Sequence, residues 1–186
     1  MTVILKVLSV GCLASLSLAA CVHQGTETLA ALNAGKVRID WESSRALSLQ
    51  AAQRILGEPG ILQESFAYLD GSAKNFVQSF LALSPDSLSG KTGALYFRQV
   101  EYPTEPDCLA AYQAILAANA AAPGVTEVSG LGQAGYFQVE AKTFWFMVSR
   151  YGTGMAILKL NKVTSHCSHP EFEKVAYAIW GDKDNK

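Results

Sequence analysis

The segment "TSHCSHPEF" near the C-terminus gathers the densest coordinating chemistry in the chain: His166, Cys167 and His169 fall within four positions. Imidazole and thiolate are good ligands for zinc or copper. A cysteine can also be a nucleophile, or half of a disulfide. Each role needs different help. A closed zinc site needs four ligands, and the only other histidine is His23. Cys108 would complete a Cys₂His₂ set if folding brought it close. A nucleophilic Cys167 would need an exposed, electropositive setting that lowers its pKa. At this level the disulfide, the free or redox-active thiol and the metal site with His166 and His169 all stand open.

Other motifs resolve more readily. "GLGQAG" (130–135) matches G-x-G-x-x-G, but a dinucleotide site needs that turn to open a helix whose N-terminus meets the pyrophosphate. Here it opens onto "YFQVEAKTFWFMV", which reads as strand. "SGKTG" resembles the end of a P-loop, but the position five before Gly90 is Pro85, which has no N–H for a phosphate cradle. No nucleotide and no cofactor is expected. The hydrolase patterns G-x-S-x-G and H-E-x-x-H are absent from the sequence. Glu101, Asp107, Glu140 and Glu171 are dispersed carboxylates of the kind that usually decorate a solvated surface. The catalytic set is therefore read as none. With 15 basic against 16 acidic residues in 186, and no basic cluster, the chain has no electrostatic footprint for nucleic acid.

The compartment decides between the thiol readings. The chain opens "MTVILKVLSVGCLASLSLAAC": Lys6, an apolar run from Val7 to Leu18, then small residues. The run is short for a membrane span and has the form of a secretory h-region. Its ending, Leu18-Ala19-Ala20-Cys21, resembles the lipobox of bacterial lipoproteins. That resemblance implies cleavage before Cys21, a diacylglycerol on its thiol and acylation of the new amino group. Several acyl chains hold a membrane firmly, where one binds only marginally. Val22 follows the cysteine in place of the Asp common in inner-membrane lipoproteins, which by the same resemblance implies the outer membrane, facing the periplasm. The expected organisation is a signal peptide over 1–20, a lipidated tether over 21–44 and one α+β domain over 45–182. Cys12 leaves with the signal and Cys21 carries lipid, so Cys108 and Cys167 remain in a disulfide-permissive compartment. A bond between them is the expectation. It would close a loop of roughly 60 residues and contribute roughly 4 kcal/mol in the chain-entropy model.

Hydrophobic periodicity supplies the elements. Residues 22–44 are weakly patterned, with a short ordered piece near 37–41. Ser48 caps a helix with Leu49, Ala52, Ile55 and Leu56 on one face, ended by Gly57 with Pro59 beyond. "ILQESFAYLDG" and "NFVQSFLAL" read as strands about an Asp70-Gly71 turn, and "GALYFRQVEY" as a third. Thr104 and Asp107 begin a second helix, with Pro106 in its first turn, an apolar face of Leu109, Tyr112, Ile115 and Leu116, and Cys108 beside it. "GYFQVE", "TFWFMVSRY" and "GMAILKLNKV" follow as strands. Ser168 and Glu171 form a capping box for the last helix, with Cys167 and Phe172 at staple positions and Phe172, Val175, Ala176 and Ile179 as the buried stripe. The order α-β-β-β-α-β-β-β-α predicts a mostly antiparallel six-stranded sheet with helices packed on it. Trp145 and Phe146 are bulky neighbours on opposite faces, so both faces are expected to be covered. An exposed part of the aromatic set from Tyr96 to Tyr151 would instead bind a partner.

This order resembles the PsbP-like α/β/α sandwich over about residues 45–180, with "GKTGALYFRQVEY" before a helix, "GLGQAGYF" before a strand pair and "LKLNKVT" before the last helix. The resemblance implies a non-catalytic binding or assembly role and supplies no catalytic residues. The expected function is a lipid-anchored binding or assembly module with an envelope protein partner. Alternatives are an immunity or inhibitor lipoprotein against an envelope toxin, and a thiol- or metal-dependent periplasmic enzyme.

Overall fold

The computed structural model describes residues 36–140 and 143–181. The signal segment, Cys21, His23 and the tether as far as residue 35 lie outside the described residues. The architecture is α+β: one antiparallel sheet of eight strands with three helices, in the spatial order β1-β2-β3-β4-β8-β7-β6-β5. The strands are β1 (Val37–Ile39), β2 (Gly60–Asp70), β3 (Ala73–Ala82), β4 (Ala94–Glu101), β5 (Val125–Val128), β6 (Ala134–Glu140), β7 (Phe144–Tyr151) and β8 (Gly154–Asn161). The helices are α1 (Leu49–Leu56), α2 (Glu105–Asn119) and α3 (His169–Ala178).

The expected six strands and three helices occur in the expected order. The count is corrected to eight by β1 and β5, which pair with the end of β2 and the middle of β6 and form the two sheet edges. Both are very short, as edge strands often are, so neither carries a readable alternation. β1 also draws residues of the expected tether into the domain, and Trp41 just beyond it meets Phe76 edge-on at 6.4 Å.

Local chemistry explains each helix start. Ser48 Oγ accepts from the Ala51 N–H at 3.1 Å. Thr104 Oγ1 accepts from Asp107 N–H at 3.3 Å. Ser168 Oγ accepts from Glu171 N–H at 3.4 Å. The capping box at α3 is only half built: the Ser168 N–H donates to Ile55 O at 2.9 Å, and the Glu171 carboxylate turns to Arg54 at 3.0 Å. The Asp70-Gly71 turn holds β2 and β3 together, with Gly71 at φ +59, the left-handed first position of a two-residue hairpin loop.

Strand alternation sorts the core into two layers. On the first face, Phe80, Leu95, Phe97, Met147, Leu158 and Leu160 pack under α1 and α3, whose Ala52, Ile55, Leu56, Phe172, Val175 and Ala176 point inward. On the second face, Val100, Tyr136, Phe146, Val148 and Met155 pack under α2. Helices therefore lie on both faces. The inward face of α2 differs from expectation: Cys108 is at its centre with Tyr112 and Asn119, Ile115 and Leu116 are half-buried, and so is Leu109. No helix among the described residues is long and apolar enough to cross a membrane.

Candidate functional site

The three side chains of the "HCSH" segment meet different partners. His166 is exposed, with Nε2 3.6 Å from Asp86 Oδ1. Cys167 Sγ sits against the Thr164 N–H at 3.4 Å and the Thr164 hydroxyl at 3.3 Å. His169, expected to point outward, lays its ring edge-on to Trp145 at 4.9 Å and stacks beside Phe172. Among the described residues no group of three or more His, Cys, Asp or Glu is placed to hold a metal ion. His166 and His169 are thus not ligands of a common site.

The expected disulfide is corrected as well. Cys108 and Cys167 are both free. Cys108 lies in the layer under α2, its Sγ donating to Gly154 O at the start of β8 at 3.3 Å. Cys167 packs against the other layer, beside Gly93. Gly93 precedes Ala94, which pairs with Asn161 at the far end of β8. The sheet stands between the thiols, and an eight-residue strand separates them by roughly 23 Å along its length. A bridge needs Cα atoms within about 7 Å. Two leftover cysteines constrain a count, not a distance. Burial pushes the Cys108 thiol up to about 11, the opposite of activation.

What the segment does is fasten loops. Asp86 is 3% exposed. Its carboxylate accepts from Ser89 N–H at 3.0 Å and Ser89 Oγ at 2.5 Å, and from Ser165 Oγ at 2.8 Å. "SGKTG" is thus part of a turn closed on a carboxylate. The Ser89 and Ser165 hydroxyls hold the Asp86 carboxyl at about 2, against an ordinary 3.8. A carboxyl depressed in the folded state adds stability that is present above 3.8 and lost as pH falls through about 2. Urea midpoints measured down that range should fall more steeply for the native chain than for Asp86→Asn, and parallel curves would remove this account.

The glycine turn is likewise structural. Gln133 Oε1 accepts from Arg150 Nη1 at 3.0 Å and from Gly152 N–H at 2.9 Å, tying the turn to the β7–β8 hairpin.

One cluster stands apart, and the sequence reading missed it. α2 packs on β7 and β8. Beyond Val100, which packs into the α2 cluster, the part of the second face formed by β2, β3 and β4 makes no main contact with a described helix. There Arg38 lies over the Phe66 ring at 5.2 Å and Lys36 over Tyr68 at 4.7 Å, while on the neighbouring β7–β8 part Lys159 lies over Phe144 at 5.8 Å. Arg98, at mid-strand in β4, is half-buried between Val77 on β3 and Ile157 on β8. Its Nε and Nη2 both donate to Asn75 Oδ1, at 3.0 and 2.6 Å. Asn75 is fully buried, and its Nδ2 donates to Ala73 O at 3.1 Å, which fixes the amide with its oxygen toward the guanidinium. Burial raises the Tyr96 and Tyr102 phenols, and the charge of Arg98 opposes that rise in both. The available signal was the alternation Tyr96, Arg98, Val100 in "LYFRQV": a cation at the centre of a strand whose other positions are bulky.

No protein-family model, no curated protein and no solved structure matches this chain.

Proposed function

We propose that this chain is a periplasm-facing lipoprotein of the cell envelope, anchored through Cys21 at the outer membrane, whose domain is a non-catalytic binding or assembly module of the PsbP-like α/β/α type. The "LAAC" ending behind an apolar segment supports the anchor. Helices on both faces of one antiparallel sheet are consistent with the sandwich. The observation that carries the binding reading is the β2–β4 surface, where Arg38 and Lys36 lie over aromatic rings on the part of the second face beyond the α2 cluster. A protein or ligand surface contacting that face is the partner.

Peptide mapping without reduction, on protein isolated from membranes, tests the first half. The expected result is a diacylated N-terminal Cys21 peptide, loss of membrane association in Cys21→Ser, and Cys108 and Cys167 both alkylated once the chain is unfolded. An unmodified Cys21 in a freely soluble protein ends the anchor reading. For the second half, a photo-crosslinker at Phe66 should trap a discrete envelope component, and one at the exposed Tyr177 on α3 should not. Equal labelling from both positions, or none from Phe66, ends the binding-face reading.

A further inference from the structure

Arg98 differs from the other cations of this face. Arg38, Lys36 and Lys159 rest on rings, whereas Arg98 is oriented by a neutral buried amide and pairs with no described carboxylate. Asn75 directs the guanidinium but does not cancel its charge. A half-buried charge without a counter-ion is costly, and chains ordinarily pair it. An isosteric Asp at position 75 would have done so.

The bonding also leaves a defined vacancy in donors. A guanidinium has five N–H groups. Asn75 Oδ1 takes Nε–H and one Nη2–H. The two Nη1–H and the second Nη2–H have no partner among the described residues. One Nη1–H and the second Nη2–H form the end-on fork that matches two oxygens of a carboxylate or phosphate. Val77 and Ile157 flank the group in register, and apolar walls strengthen an ion pair formed between them. Tyr96 and Tyr102 stay protonated at neutral pH, since burial raises both, and their hydroxyls are donors near the same charge.

We propose that Arg98 is the anchoring residue of an oxyanion site, and that the ligand of this face presents a carboxylate or phosphate group which the free Nη fork grips end-on while Asn75 holds the guanidinium in place. The location rests on the binding-module reading. The chemistry of the site does not, and it can be tested without a partner.

The test is a titration of the full ¹⁵N-labelled protein, in detergent, with inorganic phosphate and separately with acetate, at constant ionic strength made up with chloride. The Arg98 Nε–H resonance should move saturably with at least one of the two anions. Saturation by phosphate alone, by acetate alone or by both supports the site and states which oxyanion it takes. Arg98→Lys keeps the charge without the fork and, followed through the backbone amides of Val77 and Ile157 that flank the position, should bind roughly tenfold more weakly. Asn75→Asp should weaken the response at least roughly tenfold, because an internal carboxylate on the Nε–Nη2 edge then neutralises the charge that draws the anion. It removes no packing volume but gives up the Nδ2 bond to Ala73 O, so the amide spectrum of the variant is first matched to that of the native fold. A linear, unsaturated response to both anions, or one unchanged in Asn75→Asp, overturns the proposal. Failure of the Cys21 or Phe66 experiments with a saturable Arg98 response would leave the site standing and remove only the envelope reading.

Discussion

Phe172→Ala should destabilise the protein by about 4 kcal/mol, the range found when a buried phenylalanine is truncated. Phe172 is fully buried. Its ring lies 5.8 Å from Trp145 and 6.3 Å from Phe137, so it joins α3 to two strands at once. His169 stacks on it at 6.3 Å. Truncation removes the transfer energy of the ring and leaves a cavity lined by aromatic rings that are too rigid to collapse into it. Domains have ~5–15 kcal/mol in total, so this one change is a large fraction of stability. The melting temperature should fall on the order of 10 °C. Phe172→Leu fills most of the space and should cost less than half as much. Urea unfolding with an unchanged m-value is the measurement. A loss under about 1 kcal/mol would mean that α3 is not held by this stripe.

That stripe was legible in the sequence because it is local. Phe172, Val175, Ala176 and Ile179 recur at helical spacing behind a Ser168 cap, and a helix needs only its own residues to declare a face. The same holds for Ser48, Thr104 and the Asp70-Gly71 turn, whose chemistry is completed within a few residues. The features that escaped are those set by residues far apart. β1 and β5 exist because β2 and β6 offer them an edge, and their three and four residues carry no period of their own. Cys108 and Cys167 looked like partners by elimination, yet strand pairing puts them on opposite layers. The divergence of His166, Cys167 and His169 depends on Asp86 and Trp145, neither of them near in sequence. Arg98 became notable only when Asn75 was found beside it across β3 and β4 and no described carboxylate was paired with it.

Gly57→Ala should cost about 3 kcal/mol, through backbone strain together with overpacking. Gly57 ends α1 at φ +71, with its N–H donating to Gln53 O at 2.8 Å. A β-carbon is disfavoured in that left-handed conformation. It would also lie 1.8 Å from the backbone oxygen of His166. Neither side of that collision is a rotatable side chain, so α1 or the 164–168 segment has to shift. The bond from Ser168 N–H to Ile55 O, which joins the same two segments, is then strained or lost. Alkylation of Cys167 should accelerate in the variant, while Cys108, buried in the other layer, should react no faster. The contrast with the imidazole is what decides the role of the segment. His166 is exposed and its pairing with Asp86 is open to solvent on one side, so His166→Ala should change stability by only about 0.5 kcal/mol. If the backbone of His166 matters and its ring does not, "HCSH" is where the end of α1 is bolted to the start of α3, and its ligand-like composition is incidental. A His166→Ala loss as large as that of Gly57→Ala would return the ring to the centre of the argument.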